Sequence, residues 1–152
     1  MKNILLVCTG NTCRSPMAQA LLSRMLQERD AGRAEFQVSS AGLNTGDGLP
    51  ASEYAIAVME ERGINIKTHR SRPVNARLIQ QADLILTMTD VQREYLFDRF
   101  PNRKENIFSL AGFAGAPGEV PDPFGGGRAV YEECAVQLEG LLSRVVERLL
   151  DR

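Results

Sequence analysis

The apolar residues of this chain fall into short runs that alternate between strand-like and helix-like spacing. The first run, Ile4–Val7, is continuous and is followed by a Gly-Asn turn, which is typical of a strand buried on both faces. From Pro16 onward the apolar residues recur at helical spacing, and proline suits the first turn of a helix. The chain is therefore predicted to open as strand, loop and helix.

The same alternation continues along the rest of the chain. Three further strands are predicted, at residues 36–39, 84–88 and 107–110. Three further helices are predicted, at residues 51–62, 91–100 and 129–150, with a loop rich in Gly and Pro over 112–127. This alternation predicts an α/β fold, a single three-layer domain over residues 1–152 with a four-stranded parallel sheet flanked by helices. Ligands of such sheets bind at the carboxyl ends of the strands, which is where Cys8 lies.

Composition and charge narrow the classes of function. The 152 residues carry a net charge of −1, so there is no global basic field to hold nucleic acid or an anionic membrane. Three cysteines argue against a disulfide framework, and a single histidine without any C-x-x-C pair argues against zinc. No run approaches the roughly 20 apolar residues of a membrane span, and the first run is too short for a signal peptide. We expect a reduced, cytoplasmic monomer that needs no metal or other cofactor.

The segment after the first strand, Cys8–Pro16, combines three features that bind phosphate. Gly10 helps the chain turn, so that backbone N–H groups can point inward as an anion-binding nest. A helix then begins, with the positive end of its dipole aimed at the same point. Arg14 adds a planar fork of donors that matches two phosphate oxygens. The same surroundings favour the thiolate of Cys8.

These features predict a phosphatase with a cysteine nucleophile. Attack of Cys8 on phosphorus would give a phosphocysteine intermediate that water hydrolyses, and Ser15 could donate its hydroxyl to the departing sulfur. Arg14 and the N–H groups would carry the charge on the equatorial oxygens. A bare C-x5-R match is weak, and a lone cysteine at a strand end is most often a small buried residue. The strand before the match and the Ser and helix after it favour the phosphatase, and the glycine-rich strings of nucleotide-binding loops are absent.

The segment Val7–Ala18 resembles the N-terminal signature of the low-molecular-weight protein tyrosine phosphatase family. The resemblance covers essentially the whole chain and includes Ser40–Gly42, His69–Arg72, Ala82–Met88 and Asp122–Phe124. It implies a small doubly wound α/β fold with a four-stranded parallel sheet, in agreement with the pattern above. The residues that it implies for binding the phosphoryl group and its substrate are Thr9, Gly10, Asn11, Thr12, Cys13, Arg14, Ser15 and Phe124.

The general acid is expected on the late loop. A leaving group needs a proton as its bond to phosphorus breaks, and a carboxylic acid held above the phosphate can supply it. Asp122 lies between two prolines, and taken alone such an Asp is more often a turn residue. The resemblance implies that Asp122 is the acid, because the family carries its acid in a matching Asp-Pro-aromatic motif. Glu119 is the local competitor, without flanking prolines on both sides.

The resemblance also implies supporting roles around the loop. Asn11 and Ser40 match residues that brace the loop backbone. His69 matches a histidine that hydrogen-bonds the loop Asn, and the alternative is a solvated surface histidine. Cys13 matches a resolving thiol that forms a reversible disulfide with the nucleophile, and the alternative is a packed small residue. Cys134 lies on the apolar stripe of the last helix and is predicted to be part of the core.

Two positions depart from the tyrosine-phosphatase pattern and bear on the substrate. The tyrosine enzymes usually carry a larger aliphatic residue at the position of Thr12 and a tyrosine at the position of Phe124. The combination found here resembles the protein arginine phosphatase branch of the family. A smaller, more polar wall suits a branched guanidinium better than a flat phenyl ring. The predicted function is hydrolysis of phosphoarginine in proteins, with phosphotyrosine as the alternative.

Two other classes of function are weighed against this prediction. A thiol redox enzyme of the arsenate-reductase type would need a pair of relay cysteines in a late loop, and residues 63–115 contain none. A phosphate-binding module without activity would lack Cys8, Arg14 or Asp122, and all three are present. The expected partners are phosphorylated proteins, and neither nucleic acid nor a membrane.

Overall fold

The strand predicted at the start of the chain lies inside a parallel sheet. The computed structural model describes residues 2–29 and 35–150. Its strands are β1 (Lys2–Cys8), β2 (Phe36–Gly42), β3 (Leu84–Thr87) and β4 (Ile107–Ser109). All pairs are parallel, and the order across the sheet is β2-β1-β3-β4. The last five side chains of β1 are buried, as expected for a strand with a neighbour on each side and helices on each face.

Helices cover both faces of this sheet. In the described residues they are α1 (Arg14–Arg29), α2 (Glu53–Glu60), α3 (Ala76–Gln81), α4 (Asp90–Arg99), α5 (Leu110–Ala114) and α6 (Arg128–Leu150), with a 3₁₀ turn over Pro101–Asn106. Helices α1, α2, α5 and α6 pack with Ile4 and Leu6, whereas α3 and α4 pack with Leu5 and Val7. Successive side chains of a strand point to opposite faces, so the continuous apolar run of β1 supplies both cores. The predicted three-layer α/β fold is confirmed. Over residues 2–29 and 35–150, no helix is long and apolar enough to cross a membrane.

The strand order determines which end of the sheet can bind a ligand. The chain passes from β1 to β2 on one side and later to β3 on the other, so the direction of the connections reverses at β1. Such a reversal opens a crevice at the carboxyl ends of the strands. Cys8 is the last residue of β1 and pairs in register with Gly42, the last residue of β2. The loops that follow β1, β2 and β3 therefore meet around Cys8.

Some boundaries differ from the prediction because caps and short helices decide them. Residues 110 and 112–114, predicted as strand and loop, belong to α5, whose first turn is capped by the side chain of Ser109. The helix predicted from residue 51 begins at Glu53, because the side chain of Ser52 caps it. α3 is six residues long and α5 five, which is too short to show a helical period in the sequence.

Candidate active site

Cys8 lies at the base of the loop that joins β1 to α1. The residue is 2% exposed. Its Sγ accepts the backbone N–H of Asn11 at 3.2 Å and lies 3.0 Å from Ser15 Oγ. α1 begins at Arg14, so the positive end of the helix dipole lies at the end of the same loop. The predicted contact between the cysteine and Ser15 is present.

The carbonyl groups of the loop are held outward by neighbouring segments. The donors are the backbone N–H groups of Leu43, Asn44 and Ser52 and the Nε2 of His69, which bind the carbonyl oxygens of Cys8, Thr9, Thr12 and Asn11 at 2.8–2.9 Å. Across a trans peptide, the C=O of one residue and the N–H of the next point in opposite directions. The N–H groups that follow these carbonyls therefore face the inside of the loop, where they form a nest for an oxyanion.

Asn11 gives the loop its sharp bend. Its φ of 56° makes it the one residue other than glycine with a positive φ in the described part of the chain. Asn tolerates this left-handed conformation better than most residues. Its Oδ1 accepts the N–H of Arg72 at 3.0 Å, and its Nδ2 donates to Ser15 Oγ at 2.8 Å and to Ser40 Oγ at 3.0 Å. These side-chain hydrogen bonds thus stabilise the left-handed backbone conformation of Asn11.

These contacts orient the proton of Ser15. Ser40 donates its hydroxyl to Gln19 Oε1 at 2.6 Å, so its oxygen is free to accept from the amide of Asn11. The same amide donates to the oxygen of Ser15. The hydroxyl proton of Ser15 is therefore left to point at the sulfur of Cys8, 3.0 Å away. A donor in this position stabilises a thiolate.

β2 approaches the loop so closely that its last residue has to be glycine. A Cβ added to Gly42 would lie 2.8 Å from the carbonyl oxygen of Thr9 and 3.0 Å from the Cβ of Asn11. These distances are shorter than non-bonded carbon and oxygen atoms tolerate. The glycine of the Ser40–Gly42 motif is thus explained by a close approach of two backbones.

Arg14 connects this loop to the one that carries Asp122. Its Nη1 donates to the carbonyl oxygen of Val120 at 3.0 Å, and its Nη2 lies 3.7 Å from Asp122 Oδ2. Arg14 is buried, whereas the side chain of Asp122 is 54% exposed. The Oδ1 of Asp122 accepts the N–H of Phe124, whose ring is exposed. The structure therefore brings together Asp122 and Arg14, two of the residues that the sequence analysis assigns to the site.

Glu119, the alternative acid, is bound elsewhere. Its carboxylate accepts the N–H of Asp90 at 2.6 Å, in the first turn of α4. A negative charge is favourable there because the helix dipole is positive at this end. The carbonyl of Glu119 accepts Gln137 Nε2 at 2.8 Å. Since Asp122 lies beside Arg14, the geometry favours Asp122 over Glu119 as the candidate for the general acid.

His69 is partly buried against the loop. Its Nε2 lies 2.8 Å from the carbonyl oxygen of Asn11, and a carbonyl only accepts, so Nε2 carries the hydrogen. Burial lowers the pKa of His69 below its ordinary value, and the charges of Arg70 and Arg72 lower it further, against a hydrogen bond to Asn11 that raises it. The ring is therefore a neutral brace of the loop and not a solvated surface histidine.

The other two cysteines have different surroundings. Cys13 Sγ lies 3.4 Å from Ser52 Oγ and 3.3 Å from the hydroxyl of Tyr131. Burial and the contact with Cys13 raise the pKa of Tyr131 to about 12, so the phenol stays protonated. Cys134 is buried in the core of the α6 face, and this burial raises the pKa of its thiol to about 12. Cys134 is thus a core residue, as predicted.

Gln19, Arg72 and Tyr131 join the site only through the tertiary structure. Besides binding Asn11, Arg72 donates its Nε to the carbonyl oxygen of Ser40 at 3.0 Å. The bonds from Arg72 span 61 and 32 positions of sequence, and that from Tyr131 to Cys13 spans 118. Arg72 ends the His69–Arg72 segment of the family resemblance, but no spacing or motif in the chain indicates which atoms these three side chains bind.

The fold and the loop around Cys8 place the chain among the cysteine-dependent phosphatases. The sequence model described as low molecular weight phosphotyrosine protein phosphatase matches residues 3–152, and the chain belongs to this family. The predicted resemblance to the family is confirmed.

This chain is similar both to proteins named as arginine phosphatases and to proteins named as tyrosine phosphatases. A protein-arginine-phosphatase from Geobacillus stearothermophilus is 40% identical over 147 residues, 96% of this chain and 95% of that protein. The low molecular weight protein-tyrosine-phosphatase Ptp from Acinetobacter johnsonii is 36% identical over 138 residues, 91% of each chain. A solved structure of the YwlE arginine phosphatase, a Cys-to-Ser mutant with a phosphorylated active-site serine, superposes with a TM-score of 0.91 at 35% identity, covering 99% of this chain and 97% of that one.

Proposed function

We propose that this chain is a protein arginine phosphatase in which Cys8 is the nucleophile, Arg14 binds the phosphoryl group and Asp122 is the general acid. The proposal is carried by the loop around Cys8, whose outward carbonyl groups leave N–H donors facing inward. The similarity to arginine phosphatases, one of them phosphorylated at its active-site residue, supports both the substrate and the covalent intermediate.

In the first step the Cys8 thiolate attacks phosphorus and the bond between phosphorus and the guanidine nitrogen breaks. Asp122 gives its proton to that nitrogen, so arginine leaves in a protonated form. The loop N–H groups and Arg14 bind the equatorial oxygens, which carry the charge of the transition state. Arg14 would turn its donors from Val120 and Asp122 to the phosphate, which leaves Asp122 free to act on the leaving group.

In the second step water attacks the phosphocysteine. Asp122, now ionised, accepts a proton from the water, inorganic phosphate forms, and the sulfur of Cys8 leaves as a thiolate. The hydroxyl of Ser15 is oriented toward this sulfur and stabilises the charge that develops on it. No metal is needed for either step, because Arg14 and the N–H groups supply the positive field.

Thr12 and Phe124 are the residues that we assign to substrate selection. Thr12 is held by its carbonyl, which accepts the N–H of Ser52, so its side chain has a defined place beside the loop. Phe124 follows the acid by two residues and is 77% exposed, available to contact the substrate beyond its phosphoryl group. Phosphotyrosine is the second candidate, favoured by the similarity to tyrosine phosphatases.

We also propose that residues 1–152 form a single phosphatase domain that acts as a cytoplasmic monomer on phosphorylated proteins. Cys8 and Cys13 would form a reversible disulfide under oxidation, which would protect the nucleophile.

Turnover of a phosphoarginine and a phosphotyrosine peptide, measured in parallel, tests the function. We expect a higher kcat/KM on the phosphoarginine peptide, no turnover with Cys8→Ser, and roughly a hundredfold loss or more with Asp122→Asn on the same peptide. A preference for the phosphotyrosine peptide would assign the chain to the second candidate. Full activity of Cys8→Ser would reject both.

A further inference from the structure

Gln92 is a buried glutamine that connects the phosphate loop to the end of β3. It lies in the first turn of α4 and is 5% exposed. Its Oε1 accepts the N–H groups of Met88 at 2.8 Å and Thr89 at 3.1 Å. Its Nε2 donates to the hydroxyl of Thr9 at 3.1 Å. Because the two backbone groups can only donate, they determine which end of the amide faces them, and the NH₂ end must face Thr9.

Part of this arrangement is a helix cap. The side chain of Thr89 accepts the N–H of Gln92, and Gln92 returns a bond to the N–H of Thr89, which is a capping box. The cap uses only the oxygen of Gln92. The bond to Thr9 crosses 83 positions of sequence and adds nothing to the cap. It ends on the residue that directly follows Cys8.

The same segment also holds the loop that carries the acid. The carbonyl oxygen of Met88, whose N–H is bound by Gln92, accepts the N–H of Val120 at 3.0 Å. Val120 lies two residues before Asp122, and its own carbonyl accepts Arg14. The segment after β3 is therefore hydrogen-bonded to both loops of the site. Gln92 binds Thr9 in the loop that follows Cys8, and Met88 binds Val120 in the loop that carries Asp122.

We propose that Gln92 is a positioning residue that holds the loop of Cys8 at its working distance from the loop of Asp122. The proposal rests on the proposed roles of these two residues. Proton transfer requires the acid within about 3 Å of the leaving atom, and a displacement of about 1 Å can cost a hundredfold in rate. Loss of the hydrogen bond between Thr9 and Gln92 leaves each loop folded but removes one of the connections between them, so that the connection through Arg14 remains.

Two aryl phosphates that differ in the basicity of the leaving group separate this effect from a general loss of activity. Phenolate is a basic leaving group and needs the proton of the acid, whereas p-nitrophenolate leaves readily without it. The value of kcat/KM should be measured on phenyl phosphate and on p-nitrophenyl phosphate. For each substrate, kcat/KM reports the step in which the bond between phosphorus and the leaving oxygen breaks. Asp122→Asn calibrates the assay, and it should lose far more activity on phenyl phosphate.

Thr9→Val removes the acceptor of the hydrogen bond between Gln92 and Thr9, and Gln92→Leu removes its donor. Thr9→Val keeps the backbone N–H of residue 9. We expect each variant to lower kcat/KM roughly tenfold on phenyl phosphate, several times more than on p-nitrophenyl phosphate, and the double variant to be no worse than Gln92→Leu alone. Thr9 is exposed, so Thr9→Val leaves the core intact even where Gln92→Leu lowers stability.

Thr89→Ala is the matched control, because it removes half of the capping box and leaves the bond between Gln92 and Thr9 in place. It should lower the melting temperature without changing the ratio between the two substrates. The inference is overturned if Thr9→Val loses activity equally on both substrates, or on neither, while Asp122→Asn shows its selective loss. If Asp122→Asn shows no selective loss, the proposed acid is wrong, and the inference falls with it.

Discussion

At the scale of single residues, Asn11 makes more of the hydrogen bonds that hold the site together than its place in a motif indicates. Its backbone takes a left-handed conformation, its carbonyl accepts His69, and its side chain makes three further hydrogen bonds. The sequence resemblance predicts the bracing role. The direction of the bonds, which leaves the proton of Ser15 for Cys8, depends on Gln19 and can be read only from the structure.

Thr12→Ile should shift the enzyme from phosphoarginine toward aryl phosphates, because it replaces a small polar wall with a larger apolar one. A change of this size in a pocket is worth about tenfold or more in relative kcat/KM. Thr12→Val keeps the shape of threonine and removes its hydroxyl, so it separates polarity from size. An unchanged substrate ratio in Thr12→Ile would mean that Thr12 does not select the substrate.

Cys13→Ser should convert reversible inactivation by hydrogen peroxide into permanent loss. Peroxide oxidises the Cys8 thiolate to a sulfenic acid, and the thiol of Cys13 then condenses with it to form a disulfide and water. After peroxide treatment, dithiothreitol should restore activity to the wild type and to Cys134→Ser, whose thiol is held in the core. Equal recovery of Cys13→Ser would show that Cys13 is only a packed residue.

At the scale of elements, the opening strand, loop and helix follow from the hydrophobic pattern, because each element is long enough to show its period. β2 was expected to end at residue 39 and runs to Gly42, where it pairs with Cys8. This extension places its last residue against the phosphate loop. Only the pairing with β1, and not the composition of β2, decides where the strand ends.

Gly42→Ala should therefore damage the site as well as the fold. The new methyl group would press on the carbonyl oxygen of Thr9, and overpacking of this kind typically costs about 1–3 kcal/mol. We expect a lower melting temperature and a lower kcat/KM. The matched control is Gly140→Ala in α6, where an added Cβ meets nothing within 4 Å and should stabilise the helix by about 0.5–1 kcal/mol. A fully stable and active Gly42→Ala would contradict the close approach.

At the scale of the whole molecule, the site is assembled from the ends of three strands. Cys8 follows β1, the Ser40–Gly42 segment ends β2, and Met88 and Gln92 follow β3. His69 and Asp122 arrive on the connections between these elements. The stability of the site is therefore coupled to the stability of the fold.

His69 should make unfolding depend on pH. Its pKa is lowered in the folded state, so between the ordinary value of 6.5 and that lower value the unfolded chain binds more protons. The contribution of His69 to stability is present above pH 6.5 and declines as the pH falls below it. His69→Gln, which can still donate to the Asn11 carbonyl, should show a weaker decline in denaturant titrations between pH 7 and pH 5. An identical decline in both proteins would assign the pH dependence to other groups.

The sequence by itself determined the four strands, the longer helices and the family, and it predicted Cys8 as the nucleophile with Arg14 beside it, because these depend on local patterns and on motifs of adjacent residues. Only the tertiary structure decided which way the loop carbonyls point, which carboxylate pairs with Arg14, and how Gln92 joins the two loops. These contacts join residues far apart in the chain. Their geometry comes from the register of the sheet and the packing of helices on it, which no local pattern encodes.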